Sequence, residues 1–343
     1  MAEATVSGEA TALVRRAHEL ESTGDLRAAI ELLSHANRAA RHADLERALV
    51  HLRRRGGSAM MLQEPVTRPR ITATPADALF EIEPAELTDA ALRAGFSQCG
   101  CVLVRGLVPP ERIALLVDGI DAAMAAFDAA TDGASYDPAW FDPGPMPDRV
   151  SPGLPASFRR KFLRADGGLW TVDSPRMLFE VFELVDDTGL GALMTEFLGE
   201  RPLLSAIKGT LRRVPPTEVI GGWHQDGAFL GDHVGSFNFW LALTACGRDA
   251  PGLDIVAKRF DRVVPSDPDA QFDWSLSDAG VLAAADGAPI VRPDFAAGDA
   301  MLFDHLLLHR TAASTSMTRA RHAIESWFFA PSAYPVGQLP ILY

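Results

Sequence analysis

The sequence predicts a mainly β fold, a β-sandwich or jelly roll with flanking helices, preceded by a short helical hairpin. Two patterns carry this reading. From residue 203 onward, short apolar runs alternate with turn residues, and the stretch before them carries apolar stripes at helical spacing. Residues 8–56 hold a separate helical pattern of their own. With 343 residues, 48% of them hydrophobic, the chain can bury a sizeable core without disulfide or metal staples.

In the first segment Leu13, Ala17 and Leu20, then Ile30 and Leu33, then Leu45, Leu49 and Leu52 recur at helical spacing. Thr23-Gly24-Asp25 is a turn that places Asp25 as the N-cap of the second helix. Its four histidines, His18, His35, His42 and His51, lie among Arg and Ala and suit solvated helix faces. Gly, Pro, Thr and Ser then take over, with Pro69 and Pro75 blocking helix continuation. The expected organisation is a helical appendage over 1–56, a linker over 57–76 and one globular domain over 77–343.

Within that domain, 91–96 reads as helix, 101–104 as a buried strand and 109–126 as a helix opened by proline. Residues 131–170 are rich in Asp, Pro, Gly and large aromatics (Tyr136, Trp140, Phe141, Trp170), which argues for an ordered lid or pocket wall. A helical region over 175–198 follows. Strands are expected at 203–214, 222–229, 236–244, 252–256, 300–309 and 321–329.

A formal charge of −13 leaves a general phosphate-binding surface without electrostatic drive, so nucleic acid is not an expected partner. No uncharged stretch is long enough for a membrane span. Cys99, Cys101 and Cys246 lack the paired spacing of a zinc ribbon or disulfide framework and suit a reducing cytoplasm.

Trp223-His224-Gln225-Asp226-Gly227 is the most informative stretch. In a strand, residues two apart share a face, which would set the His224 imidazole beside the Asp226 carboxylate. Two histidines and one carboxylate on one face define a non-haem Fe(II) site, so a third ligand is expected from another strand. His309, which closes the 300–309 run and is followed by Arg310-Thr311, is the candidate; His305 shares its strand parity and is the competing choice. Arg321 opens the last long apolar strand, where a guanidinium fork suits the far carboxylate of a dicarboxylate co-substrate. Arg319 has the same parity and competes with it.

The order His-x-Asp, distal His, Arg resembles the phytanoyl-CoA dioxygenase family of Fe(II)/2-oxoglutarate-dependent oxygenases. The likeness extends to the glycine, apolar strand, Arg-Gly and proline pattern of residues 96–110, to the WHQDG core at 223–227 and to the Gly-x-Leu strand at 252–256. It covers about residues 76–335. It implies a double-stranded β-helix (jelly roll, cupin-like) core, with catalytic iron held by His224, Asp226 and His309 and with 2-oxoglutarate and O₂ as co-substrates. It also implies that Arg321 and Thr311 hold the distal 2-oxoglutarate carboxylate, that Trp240 packs against the co-substrate, and that Arg212 and Lys208 on the 203–214 strand add polar contacts. Related halogenases replace the carboxylate ligand with a small residue; Asp226 is retained, which implies hydroxylation with decarboxylation of 2-oxoglutarate to succinate.

The expected substrate is a small organic molecule, neutral or cationic and partly apolar, held by aromatics of 131–170 with Phe229 and Trp327. Arg- and Ala-rich usage with only Lys161, Lys208 and Lys258 as lysines suggests bacterial secondary metabolism. Two other classes fit the same residues: a cupin-like metalloprotein that does not use 2-oxoglutarate, and a binding or regulatory protein without turnover.

Overall fold

The strand Ser236–Ala242 is buried along its whole length, and its alternation shows how the molecule is layered. Phe237, Phe239 and Leu241 point into a core shared with helices, whereas Trp240 and Ala242 point into a second core between two sheets. A strand buried on both faces reads as a continuous apolar run, which is what this sequence has. The computed structural model describes residues 2–61, 66–75, 78–144, 146–147, 149–150, 153–216 and 222–343.

The larger sheet runs in the order Glu81–Ile82, Cys101–Val104, Ala300–Phe303, Ser236–Ala242, Arg321–Phe329, Leu203–Val214 and Pro340–Leu342, with Gly168–Trp170 also pairing to Leu203–Val214. The smaller runs Ser275–Leu276, Trp223–His224, His309–Ala312, Gly252–Val256 and Ile290–Val291. Apart from the parallel first pair of the larger sheet, these pairings are antiparallel. This is the expected jelly roll. The helices Pro110–Thr131, Pro175–Asp187 and Leu190–Leu198 supply apolar faces to the core on the larger sheet's outer side. The 175–198 region divides in two because Gly189 takes a left-handed conformation, φ 72°, which ends one helix and caps the next.

Two expected strands come out differently. The 300–309 run is two strands in different sheets, Ala300–Phe303 in the larger and His309–Ala312 in the smaller, joined by a turn through Asp304. The 222–229 run is strand only at Trp223–His224; Gly227–Leu230 is a helical turn.

The N-terminal segment forms three helices, Ala2–Ser22, Leu26–Ala39 and Ala43–Met60, where a hairpin was expected. Asp25 caps the second as expected, accepting from the Ala28 amide at 3.1 Å. Gly56 and Gly57, which read as the start of a linker, lie inside the third helix. A Cβ on Gly57 would come 2.5 Å from the Pro340 carbonyl oxygen, and one on Gly56 2.6 Å from a Leu342 methyl. The glycines thus let the helix lie directly against Pro340–Leu342. Leu33, Leu45, Leu49 and Leu52 share a core with Phe179 of the Pro175–Asp187 helix. Residues 62–65 and 76 of the expected linker lie outside the described residues. Among the described residues no helix is long and apolar enough to cross a membrane.

Candidate active site

Between the sheets, lined by residues of both and by the strand Leu203–Val214, lies a cavity of about 230 Å³. His224 and His309 are direct cross-strand partners, with ring centroids 4.6 Å apart. Asp226 joins them from the first residue of the turn that follows its strand. The expected convergence is therefore present, but by a different route: the chain leaves the sheet after His224, and Gln225 is turned inward to donate to the Leu306 carbonyl at 2.6 Å. One ligand-type atom from each of His224, Asp226 and His309 lies within 4.8 Å of the others. Among the described residues no other group of three does this.

The second ring nitrogens fix the tautomers. His224 Nδ1 lies 3.0 Å from the Gly222 carbonyl oxygen and His309 Nδ1 3.0 Å from that of Leu307. A carbonyl only accepts, so both Nδ1 atoms carry hydrogen, which leaves Nε2 as the ring atom that can ligate. Burial, followed by the neighbouring His309, pushes the His224 imidazole down to about 4, which keeps it neutral. Burial would raise Asp226, but Lys208 with the two imidazoles outweighs it and holds the carboxyl at about 2. Lys208 Nζ donates to Asp226 Oδ1 at 2.6 Å, and Oδ2 lies 3.7 Å from His309 Nε2. Two imidazoles and an ionised carboxylate, all buried or nearly so, suit a borderline divalent cation such as Fe(II).

Arg321 lines the same cavity, buried, with Nη1 donating to the Pro251 and Gly252 carbonyls at 3.2 and 3.1 Å. Its guanidinium lies over Trp240, 5.4 Å from the ring centroid. It has no carboxylate partner among the described residues, its Nε is unsatisfied, and burial pushes its pKa down to about 10. Arg319, the competitor, is exposed outside this cavity. Thr311 lines the cavity, and Arg310 between it and His309 turns away to Asp254 at 2.9 Å. Lys208, Thr210 and Arg212 share a face, as their spacing predicts, and all three line the cavity. Arg212 Nη1 lies 3.3 Å from Asp166, and its Nη2 3.7 Å from Glu325.

The remaining histidines take no part. His305 is turned by the corner to Ser236, its Nδ1 2.7 Å from the hydroxyl, with Nε2 3.2 Å from the Asp232 carbonyl. His233 is exposed in its loop, and His322 faces outward to Asp121 at 3.1 Å. Of the aromatics expected in the wall, Trp170 lines the cavity, while Tyr136, Trp140, Phe141, Phe229 and Trp327 do not. Phe229 instead sits beside the histidines, 6.1 Å from the His224 ring and 4.1 Å from Lys208 Nζ. Glu325, Arg159 and Trp274 went unread in the sequence: the first two line the cavity, and Trp274 packs edge-on to His224 at 5.6 Å. Strand parity from Arg321 could have found Glu325. No local pattern marks the other two.

A family model described as phytanoyl-CoA dioxygenase matches residues 96–323, about two thirds of the chain. No curated protein matches the sequence. Among solved structures, the chain is similar to EctD from S. alaskensis with 2-oxoglutarate and 5-hydroxyectoine, at 15% identity over 79% of this chain and 83% of that one, TM-score 0.50. The apo form of the same protein aligns over 82% of this chain and 88% of its own, also at 15% identity and TM-score 0.50. AviO1 from Streptomyces viridochromogenes Tue57 is 20% identical over 73% of this chain and 98% of that one, with a TM-score of 0.46.

Proposed function

The chain belongs to the phytanoyl-CoA dioxygenase family and is a non-haem Fe(II)/2-oxoglutarate-dependent oxygenase that uses O₂; on that premise we propose that it hydroxylates a small organic molecule at a centre built from His224, Asp226 and His309. The observation that carries this is the opening of the triad and of Arg321, a buried guanidinium without a carboxylate partner among the described residues, into one cavity.

In this reading the two Nε2 atoms and Asp226 Oδ2 hold the iron, and Lys208 fixes the carboxylate through its other oxygen. When bound with 2-oxoglutarate, the iron supplies oxygen activation coupled to decarboxylation to succinate. Arg321 takes the far carboxylate of 2-oxoglutarate, with the Thr311 hydroxyl as a second donor and the Trp240 ring as a wall. Arg212 is held in place by two acids and lends a fixed guanidinium to the wall of the co-substrate space. Asp226 occupies the position that a halide-using site would leave open, which supports hydroxylation. Three buried free thiols fit a reducing cytoplasm, and the Arg-rich, Lys-poor usage fits bacterial secondary metabolism.

Anaerobic titration with Fe(II) and then 2-oxoglutarate tests the assignment. A metal-to-ligand charge-transfer band should develop in the native protein and be lost in His224→Ala, along with succinate formation. A band of unchanged intensity in that variant rejects the ligand set.

A further inference from the structure

The cavity holds one guanidinium, that of Arg159, with no hydrogen-bond or ion-pair partner among the described residues. Lys208 is paired with Asp226, Arg212 has Asp166 and Glu325, and Arg321 is reserved for 2-oxoglutarate in the reading above. Arg159 is left over. It reaches the cavity from the helix Ala156–Ala165, and its buried Nε has no hydrogen-bond partner among the described residues. No ion pair to Arg159 is found among them either. Burial, followed by repulsion from Arg212, lowers its pKa. The side chain is half-buried, and a buried N–H that meets neither water nor a protein acceptor is under-satisfied in a way that a bound ligand would relieve.

The same helix supplies an apolar surface beside that charge. Phe162 and Leu163, three and four residues on, line the cavity on the face of Arg159. Phe162 is nevertheless 59% exposed, stacked on an equally uncovered Phe158 at 6.5 Å. One turn thus offers a planar charged fork next to an aromatic surface that is left largely uncovered among the described residues.

We propose that Arg159 binds a carboxylate of the primary substrate, so that this oxygenase acts on a partly apolar small-molecule carboxylate whose ring or chain lies on Phe162. This rests on the Fe(II)/2-oxoglutarate reading of the site and replaces the neutral or cationic substrate expected from net charge. A guanidinium fork donates bidentately to a carboxylate or a phosphate. The carboxylate is favoured because Asp166 and Glu325 line the same cavity and repel the second negative charge of a phosphate.

Calorimetric titration of the anaerobic protein, loaded with Fe(II) and 2-oxoglutarate, tests this with phenylacetate, 3-phenylpropionate and 4-phenylbutyrate, their amides, and phenyl phosphate. At least one carboxylate should bind tenfold or more tightly than its amide and than phenyl phosphate. Arg159→Gln should abolish that preference and Arg159→Lys should keep part of it, while the 2-oxoglutarate titration midpoint stays at its native value in both. Equal binding of acids and amides, or a preference that survives Arg159→Gln, overturns the proposal. Tighter binding of phenyl phosphate overturns the carboxylate assignment. A raised 2-oxoglutarate midpoint in Arg159→Gln would place Arg159 in the co-substrate site instead. Failure of the native protein to develop the charge-transfer band rejects the iron-site reading separately, since the probe titrations report on Arg159 by heat alone.

Discussion

Lys208 Nζ sits 2.6 Å from Asp226 Oδ1, so one carboxylate oxygen is engaged by a lysine while the other faces His309. An outer partner of this kind orients a ligand and holds it ionised; losing one typically costs about 10–100-fold in metal affinity. Lys208→Met should weaken Fe(II) binding by that factor, and the loss should deepen toward acid pH because Asp226 is no longer held down near 2. Equilibrium Fe(II) titrations at pH 7.5 and 6 would show it. An affinity unchanged at both values would mean that the lysine only fills space.

The metal-free protein should lose stability on acidification before its carboxylates titrate. His224 lies at about 4 in the folded state, chiefly through burial, against roughly 6.5 in an unfolded chain. A depressed pKa means the folded state takes up the proton less readily. The stabilisation is therefore complete above about pH 6.5 and disappears as pH falls toward 4. Asp226, lowered to about 2, extends the loss in the same direction at more acid pH. Allowing for the partial exposure of the ring, His224 accounts for on the order of 2 kcal/mol. Thermal unfolding of the metal-free protein should show Tm falling from pH 7 to 4, with a shallower slope in His224→Gln. Equal slopes would contradict the cause given.

Arg321→Gln should raise the 2-oxoglutarate concentration for half-maximal succinate formation by about 100-fold, the scale of a lost charge-assisted pair. Arg319→Ala should leave it unchanged, because that side chain is exposed outside the cavity. The reverse outcome would move the anchor by two residues.

His305→Ala separates structure from chemistry. It removes the contacts to Ser236 and to the Asp232 carbonyl. The expected cost is about 1–3 kcal/mol in denaturant unfolding, with Fe(II) affinity at the native value. A loss of iron without a loss of stability would restore His305 as a ligand.

Gly57→Ala should destabilise the protein by about 1–3 kcal/mol although alanine is the better helix former. The added Cβ would lie 2.5 Å from the Pro340 carbonyl, a backbone atom that cannot swing aside. A raised Tm would show that the helix and strand can separate without cost.

Much of this was legible in the chain because strand periodicity is local. The bounds of Cys101–Val104, Leu203–Val214, Gly252–Val256 and Arg321–Phe329 follow from apolar runs ended by turn residues. Which sheet a strand joins is not local, and so 300–309 looked continuous and His305 looked equivalent to His309. The approach of His224 and Asp226 was foreseeable, but the turn that produces it depends on Leu306, far along the chain, accepting from Gln225. Arg159 could not be read at all. Its importance lies in the lack of a partner, which only the folded arrangement reveals.

The seam between Ala43–Met60 and Pro340–Leu342 governs the order in which the molecule can be finished. The helix is synthesised early, yet the strand against which its glycines lie leaves the ribosome about 280 residues later. Until then the helical block has no strand to close on, so this contact of high sequence separation forms only once the strand is present.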